Sequence, residues 1–465
     1  MANTWQFLFQ LREELLMFSG FWFVVGGIDD FAIDCVWAGR SLWRRLTRYH
    51  AVPPMRADQL PPPISRGPFA IFIPAWREAA VIGAMLLRCQ HAWADSRVDY
   101  RIYVGCYPND PGSIRSVMAA AAYDSHVRIV LTDHSGPTTK ADCLNRLWRA
   151  LTADELQGGY KAKALVFHDA EDCVHPLELR VFDYLIERAA AVQLPVIPVQ
   201  VPSSAWVSGH YCDEFAETHG KILVVREALG AAVPLAGVGC AIERNRLGRI
   251  AIARGGKPFD EDSLTEDYEL GLGLCSDGGK VIFARMSDAS GELVGTRACF
   301  PDSMDAAVRQ KARWITGIAL AGWDRLGWRG GLIEVWMRMR DRKAVFAAIV
   351  LCAAYLAIIF TVLLWLAELA GAFRPPQSSA VVRVAMLITS ILLLWRMLVR
   401  GGFVWLMHGR RQALLSVPRS LVANVIAIVA ARRACWIYLK HIFGRRLDWD
   451  KTTHAHFPGE AKRHG

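Results

Sequence analysis

Ala164-Leu-Val-Phe-His-Asp-Ala-Glu-Asp172 sets how the rest of the chain is read. An apolar run ends abruptly in three carboxylates, Asp169, Glu171 and Asp172. Strands of a parallel sheet read as short apolar runs, and open α/β sheets bind ligands beyond the carboxyl ends of their strands. If the strand continues, Asp169 and Glu171 point to one side and Asp172 to the other. Two carboxylates crowded together repel; a hard cation, often one carrying substrate phosphates, relieves that. The stretch therefore predicts a metal–diphosphate site at a strand end, with Asp172 structural. The plain alternative is an acidic helix N-terminus after a strand. His168 beside Asp169 also suggests a metal phosphohydrolase, but that chemistry needs further His and Asp ligands at helical spacing.

Around this stretch, residues 67–330 alternate strand-like and helix-like segments. Strands are predicted at 68–73, 100–106, 127–132 and 165–167, with helices between them, one starting at Lys140 after Thr138-Thr139. Repeated strand–helix units imply an α/β fold with a mainly parallel, doubly wound sheet. Each strand end carries a polar cluster, where such folds place a ligand.

The flanks are of another kind. Residues 15–37 are largely apolar but carry Asp29, Asp30 and Asp34, an odd set for a membrane helix. Arg40, Arg44, Arg45 and Arg48 follow and place that end in the cytoplasm. No cleavable signal peptide is expected. The division is an N-terminal membrane helix with its basic flank (1–50), a Pro-rich linker (51–66), a catalytic domain (67–330), a membrane region (331–445) and a cytoplasmic tail (446–465). Within the membrane region, 344–370 and 384–407 are span candidates. Residues 413–431 contain Pro418, Arg419 and Asn424 and have basic clusters on both sides, so an interfacial or re-entrant segment is expected there.

Bulk composition agrees. Of 465 residues 53% are hydrophobic, and the net charge of +10 gathers near apolar segments. That suits an anionic lipid surface rather than nucleic acid. The 11 Cys form no CxxC pair, which argues against a disulfide framework or zinc site.

Two further constellations carry chemistry. In Ser263-Leu-Thr-Glu-Asp267, Ser263 and Glu266 fit a capping box, while Asp267 in the first turn suits a general base. In Gln310-Lys-Ala-Arg-Trp314, Gln310, Arg313 and Trp314 share one helical face behind a Ser303 cap. An amide, a guanidinium fork and a flat ring suit a diphosphate and a sugar; the alternative is an amphipathic helix with its Trp on a membrane. Glu78 and Asp110 at strand ends are candidates for a nucleoside, and Lys140 for phosphate. Gly237-Val-Gly239 is too weak a pattern for a phosphate loop.

Asp110, Asp169-Ala-Glu171, Thr265-Glu-Asp267 and Gln310-x-x-Arg313-Trp314 occur in that order in one α/β region. The set resembles the processive synthase branch of glycosyltransferase family 2, that of cellulose, chitin and hyaluronan synthases, over roughly residues 67–320. The order is specific, whereas no single motif is. The resemblance implies a GT-A (Rossmann-like) domain inserted between transmembrane helices, a nucleotide-sugar donor such as a UDP-sugar, Mg2+ or Mn2+, and inversion at the anomeric carbon. It assigns Asp110 to the nucleotide, Asp169 and Glu171 to the metal, Asp267 to the base, and Arg313 and Trp314 to the donor and acceptor site. Glu171 departs from the second Asp of the family's D-x-D element; glutamate can still ligate, on a longer arm.

Gly26-Gly-Ile-Asp-Asp30, His168-Asp-Ala-Glu-Asp-Cys-Val-His-Pro176 and Trp449-Asp-Lys-Thr452 give a closer resemblance, to the inner-membrane phage-adsorption protein B family. It implies a multi-pass bacterial inner-membrane enzyme with a cytoplasmic catalytic domain, a glycan acceptor and an outer-membrane export partner. Many members carry a further C-terminal cyclic-di-GMP-sensing domain, which is not expected here, so direct cyclic-di-GMP control is not expected either. Two alternatives stay open: a membrane scaffold or phage-receptor component with a degenerate transferase domain, and a transferase acting once on a lipid carrier.

Overall fold

The computed structural model describes residues 2–122, 124–444 and 457–458. Trp449-Asp-Lys-Thr452 and most of the expected tail lie outside them.

Nine strands are described: β1 Phe69–Pro74, β2 Tyr100–Cys106, β3 Val127–Leu131, β4 Ala164–Phe167, β5 Ala191–Gln193, β6 Val196–Val199, β7 Cys240–Glu243, β8 Val281–Phe283 and β9 Thr296–Cys299. Seven form one sheet in the order β3-β2-β1-β4-β7-β5-β8. β1 to β4 run parallel, and β7 is antiparallel to both β4 and β5. β6 and β9 form a separate parallel pair.

Helices α1 Ala2–Thr47, α2 Ile82–Trp93, α3 Pro111–Ala121, α4 Lys140–Gly158, α5 Glu178–Leu185, α6 Val207–Glu217, α7 Leu223–Ala228, α8 Arg244–Ala253 and α9 Glu266–Ser276 belong to the first two thirds of the chain. They are followed by α10 Met304–Ile315, α11 Ala321–Leu326, α12 Leu332–Arg342, α13 Ala344–Leu369, α14 Ala380–His408 and α15 Arg410–Ile442. Alternation along β1 explains the layering. Phe69, Ile71 and Ile73 pack with α2, α3 and α5 on one face, while Ala70 and Phe72 pack with α4, α8 and α9 on the other. Both faces are covered, which is why these strands read as unbroken apolar runs.

The chain leaves β1 toward β2 and β3, then returns to place β4 on the opposite side of β1. The strand order therefore reverses between β1 and β4, and the crevice beyond their carboxyl ends is the natural ligand position of such a sheet.

Among the described residues four helices are long and apolar enough to cross a membrane: α1, α13, α14 and α15. α1 has 46 residues, twice the length of the apolar stretch at 15–37. The three aspartates in its apolar stretch are paired: Asp29 and Asp30 with Arg340 of α12, and Asp34 with Lys221. The segment at 413–431, expected to be interfacial or re-entrant, lies inside one uninterrupted 33-residue helix, Pro418 included. Its buried residues Ile426, Ala430 and Ala434 pack on α10 beside Ala307 and Ala312.

Candidate active site

Strand β4 stops at Phe167, so residues 168–172 turn rather than continue the strand. The separation of the acids therefore has a different cause from strand alternation. Asp172 folds back and accepts a hydrogen bond from the Asp169 amide (3.0 Å). It also faces His168 Nδ1 at 3.0 Å, while His168 Nε2 meets Glu178 at 2.8 Å. Burial opposes a charge on His168, but Glu178 and Asp172 outweigh it and raise its pKa to about 10. Asp172, fully buried, is thus a partner of an imidazolium under the turn. Asp169 and Glu171 line a cavity of about 310 Å3 in the β1/β4 crevice.

Lys140 reaches that cavity from the start of α4, where Thr139 caps the helix by accepting from the Asp142 amide. Its ammonium donates to Asp169 Oδ1 (2.5 Å) and to the Gly237 carbonyl (3.2 Å). Burial works against its charge, yet Asp169 and Glu266 hold its pKa above the ordinary lysine value. The sequence assigns this lysine to phosphate; the structure places it first on a carboxylate. Gly237, with φ +72°, is needed here: a Cβ would lie 2.5 Å from Asp267 Oδ2 and 3.3 Å from Lys140 Nζ. The loop carrying it is clamped by buried Gln193 at the end of β5, which donates to the carbonyls of Val238 and Gly239 and accepts from the Ala236 amide. No sequence motif marks Gln193.

Glu266 and Asp267 open α9 and both line the cavity. The expected capping box does not form. Thr265 is the N-cap, and the Ser263 hydroxyl instead donates to Glu269 (2.6 Å). Glu266 lines the cavity while its carboxylate accepts from its own amide at the helix start. Burial, then the neighbouring Asp267, pushes Glu266 up to about 7. Burial also raises Asp267, against the pull of Lys140. Two adjacent buried acids resist ionising together, so both hold their protons above the ordinary carboxylate range.

Ser303 caps α10 as anticipated, accepting from the Ala306 amide. Gln310, Arg313 and Trp314 all line the same cavity. Gln310 is buried, and its Oε1 has no hydrogen-bond partner among the described residues. Around Trp314 stands an aromatic wall that the motifs did not reveal. Phe300, just after β9, packs on Phe215 of α6 with ring centroids 4.8 Å apart, and each lies 6.4 Å from Trp314. His219 continues the wall, 5.0 Å from Phe215. Burial, with Arg285 nearby, lowers its pKa to about 3, so it is a neutral ring.

At the opposite end the cavity is lined by Trp76, Glu78 and Tyr107, the two rings packed edge to face at 5.1 Å. Asp110 does not line it. Its carboxylate accepts from the Arg77 amide (2.6 Å) and from the Ser113 amide at the start of α3. Arg77 has φ +55°, an uncommon conformation for a non-glycine residue. The acid expected on the nucleotide instead holds the bend that aims Trp76 and Glu78.

Residues drawn from positions 76 to 314 thus meet in one crevice: an acid turn after β4, an acidic helix start and an arginine–tryptophan helix, on a sheet that reverses at β1/β4. That arrangement is the GT-A glycosyltransferase fold. The chain belongs to the glycosyltransferase-like family 2, whose model matches residues 66–317. It is also similar to bacteriophage adsorption protein B of Escherichia coli K12 and to bacteriophage N4 adsorption protein B of Escherichia coli O157:H7, with 37% identity over 454 residues to each. That alignment covers 92% of this chain and 60% of the length of these relatives. Among solved structures, a mannosyltransferase from Pyrobaculum calidifontis in complex with GDP-Man and Mn2+ aligns at 16% identity and TM-score 0.47, over 88% of this chain and 99% of its own. S. aureus TarS 1–349 in complex with UDP-GlcNAc aligns at 9% identity and TM-score 0.33, over 66% and 92%.

The resemblance to the synthases also implies a divalent metal. The donor set fits one: Asp169 and Glu171 offer carboxylate oxygens to a cavity that holds Glu266 and Asp267 as well. An all-oxygen set suits Mg2+ or Mn2+. A second cluster, His175 with Asp288 and Glu292, lies elsewhere. There His175 Nδ1 accepts from the Leu177 amide, so a neutral ring carries its proton on Nε2, toward Asp288, and offers no lone pair to a metal.

Proposed function

We propose that this chain transfers a sugar from a nucleotide-sugar donor to a glycan acceptor at a membrane, with inversion at the anomeric carbon. One observation carries the reading: the acid turn at 169–171, the acid pair at 266–267 and the Gln310–Arg313–Trp314 face line a single cavity.

The cavity's two ends suit the two substrates. Trp76, Tyr107 and Glu78 offer rings and a carboxylate to a nucleoside. Lys140 and Arg313 stand where a diphosphate would lie between that end and the acids, and their charges would offset those of the leaving group. A Mg2+ or Mn2+ ion held by Asp169 and Glu171 would add charge neutralisation at the diphosphate. Asp267 takes the proton of the acceptor hydroxyl as that oxygen attacks the anomeric carbon and the bond to the diphosphate breaks. The apolar rings of Phe215, Phe300 and Trp314 suit the face of an acceptor sugar. Holding the two sugars in line supplies much of the rate by positioning.

The four apolar helices and the basic runs beside them support a multi-pass protein of a bacterial inner membrane, with the catalytic domain on the cytoplasmic side. The similarity to phage adsorption proteins supports a surface or secreted polysaccharide as product, passed to an outer-membrane export partner. The test is a screen of nucleotide sugars, UDP-sugars included, with Mg2+ or Mn2+ and membranes holding the full chain. Released nucleoside diphosphate and product size are read. Turnover that vanishes in Asp267→Asn supports the reading; turnover unchanged in that variant removes the base assignment. No turnover of any donor would leave the scaffold reading in its place.

A further inference from the structure

Helix α6 and the π-helical turn after it, Thr218–Ile222, carry two side-chain rows with different partners. Tyr211, Phe215 and His219 recur every four residues. Phe215 and His219 line the cavity, and Tyr211 stacks on Phe300 at 4.8 Å. Two residues further along, Asp213, Glu217 and Lys221 recur at the same spacing. Two residues advance a helix by about 200°, so this second row lies on the opposite side.

Every member of the second row is gripped by a helix long and apolar enough to cross a membrane. Arg419 of α15 meets Asp213 at 3.2 Å and sits over Gly209, whose Cβ would collide with it. Arg396 and Arg400 of α14 pair with Glu217. Asp34 of α1 pairs with Lys221, which also bridges to Glu217 at 2.8 Å, and Trp395 of α14 donates to Asp34 at 2.8 Å. Asp34, Asp213, Glu217, Lys221 and Arg419 are all buried. α14 approaches the turn so closely that a Cβ at Gly220 would fall 2.7 Å from the Phe403 ring.

Ion pairs this deep are poor at adding net stability, but they fix geometry, because an alternative packing strands a charge. π-helical turns gather at functional positions. We infer that α6 and its π turn form a positioning element: three membrane helices set the aromatic wall through Asp213, Glu217 and Lys221, and so govern acceptor binding but not donor binding. The acid in the first apolar helix thereby acquires a purpose, since Asp34 reaches the cavity wall through Lys221, two residues from His219. The acceptor assignment rests on the function proposed above; the positioning itself does not.

Two measurements on the full chain in lipid nanodiscs test this. Hydrogen exchange compares the protein with Asp34→Asn. Amides of 207–222 should exchange at least about tenfold faster, with 164–172 and 266–276 unchanged. Unchanged protection at 207–222 overturns the inference, whatever the enzyme turns over. Steady-state kinetics then separates the substrates. The acceptor KM should rise roughly threefold to thirtyfold, while nucleoside diphosphate release to water without acceptor stays constant. Equal losses in both reactions mean general damage and overturn it. Arg419→Gln, acting from another helix, should give the same pattern and serves if Asp34→Asn does not fold. Joining Asp34→Asn to Lys221→Met should cost less than the sum of the two alone, because the pair leaves together.

Discussion

Two stretches of the cavity wall, the acid one and the aromatic one around Trp314, are built on different terms. The acid stretch is local: Asp169 and Glu171 sit in one five-residue turn, and Glu266 and Asp267 are adjacent at one helix start. The aromatic stretch is assembled: Phe215 and His219 follow β6, Phe300 follows β9, and Trp314 sits on α10. Charge chemistry demands short, fixed spacings between like groups, so it concentrates in motifs. A ring surface demands only that flat side chains converge, and any element can deliver one. The acid stretch should therefore fail sharply on substitution and the aromatic stretch gradually.

The largest effect belongs to Asp267. Asp267→Asn removes the proton acceptor and should lower kcat by about 1000-fold while donor binding persists, read by equilibrium titration of a nucleoside diphosphate. The pair it belongs to also sets the pH profile. Burial and the neighbouring Asp267 push Glu266 up to about 7, and burial raises Asp267 as well. The base works only when unprotonated, so kcat should fall as pH drops through a limb that lies above the ordinary carboxylate value of about 4. In Glu266→Gln the like charge is gone, and the limb should move to lower pH. A limb that stays in place would mean that the pair does not govern the profile.

On the aromatic stretch, Phe300→Leu keeps apolar bulk but loses the ring. The acceptor KM should rise about fivefold, with kcat for donor hydrolysis unchanged, in keeping with the modest worth of one aromatic contact. A fall as steep as that of Asp267→Asn would erase the contrast between the two stretches.

How far the sequence discloses each stretch follows from the same difference. The parallel β1–β4 half of the sheet, the acidic end of β4 and the Gln310–Arg313–Trp314 face are legible because period and spacing are local properties, whereas the antiparallel β7 and the turn at 168–172 are not. Asp110 misleads: a carboxylate after a strand looks like a ligand contact, yet it serves to hold Arg77 in a left-handed bend. The Ser263–Glu266 spacing misleads similarly, because Ser263 bonds to Glu269 and Thr265, at the N-cap position, makes no side-chain cap. Gln193, Phe215, His219 and Phe300 give no signal, since their roles exist only once distant elements meet. The acids of α1 read as anomalies until Lys221, Arg340 and Trp395 arrive from far along the chain.

The finest contrast lies inside the turn itself, between Asp169 and Asp172, and it predicts the smallest effect on activity. Asp169 faces the cavity and Lys140; Asp172 faces inward to His168. Asp169→Asn should lower kcat by about 100-fold, less than Asp267→Asn, because a ligand to the metal and a partner of Lys140 is lost. Asp172→Asn keeps an oxygen for the Asp169 amide but strands part of the imidazolium charge. It should cost about 3 kcal/mol of stability, yet leave kcat within a few fold below the unfolding temperature. The pH dependence identifies the cause. His168 has a folded pKa of about 10 against 6.5 for the free side chain. Its stabilisation is therefore complete below about 6.5 and fades as pH climbs toward 10. Asp172→Asn should flatten that alkaline decline in thermal unfolding, because one of the two carboxylates that raise the pKa is gone. Equal losses of activity in the two variants would show that the turn cannot be divided into a working acid and a supporting one.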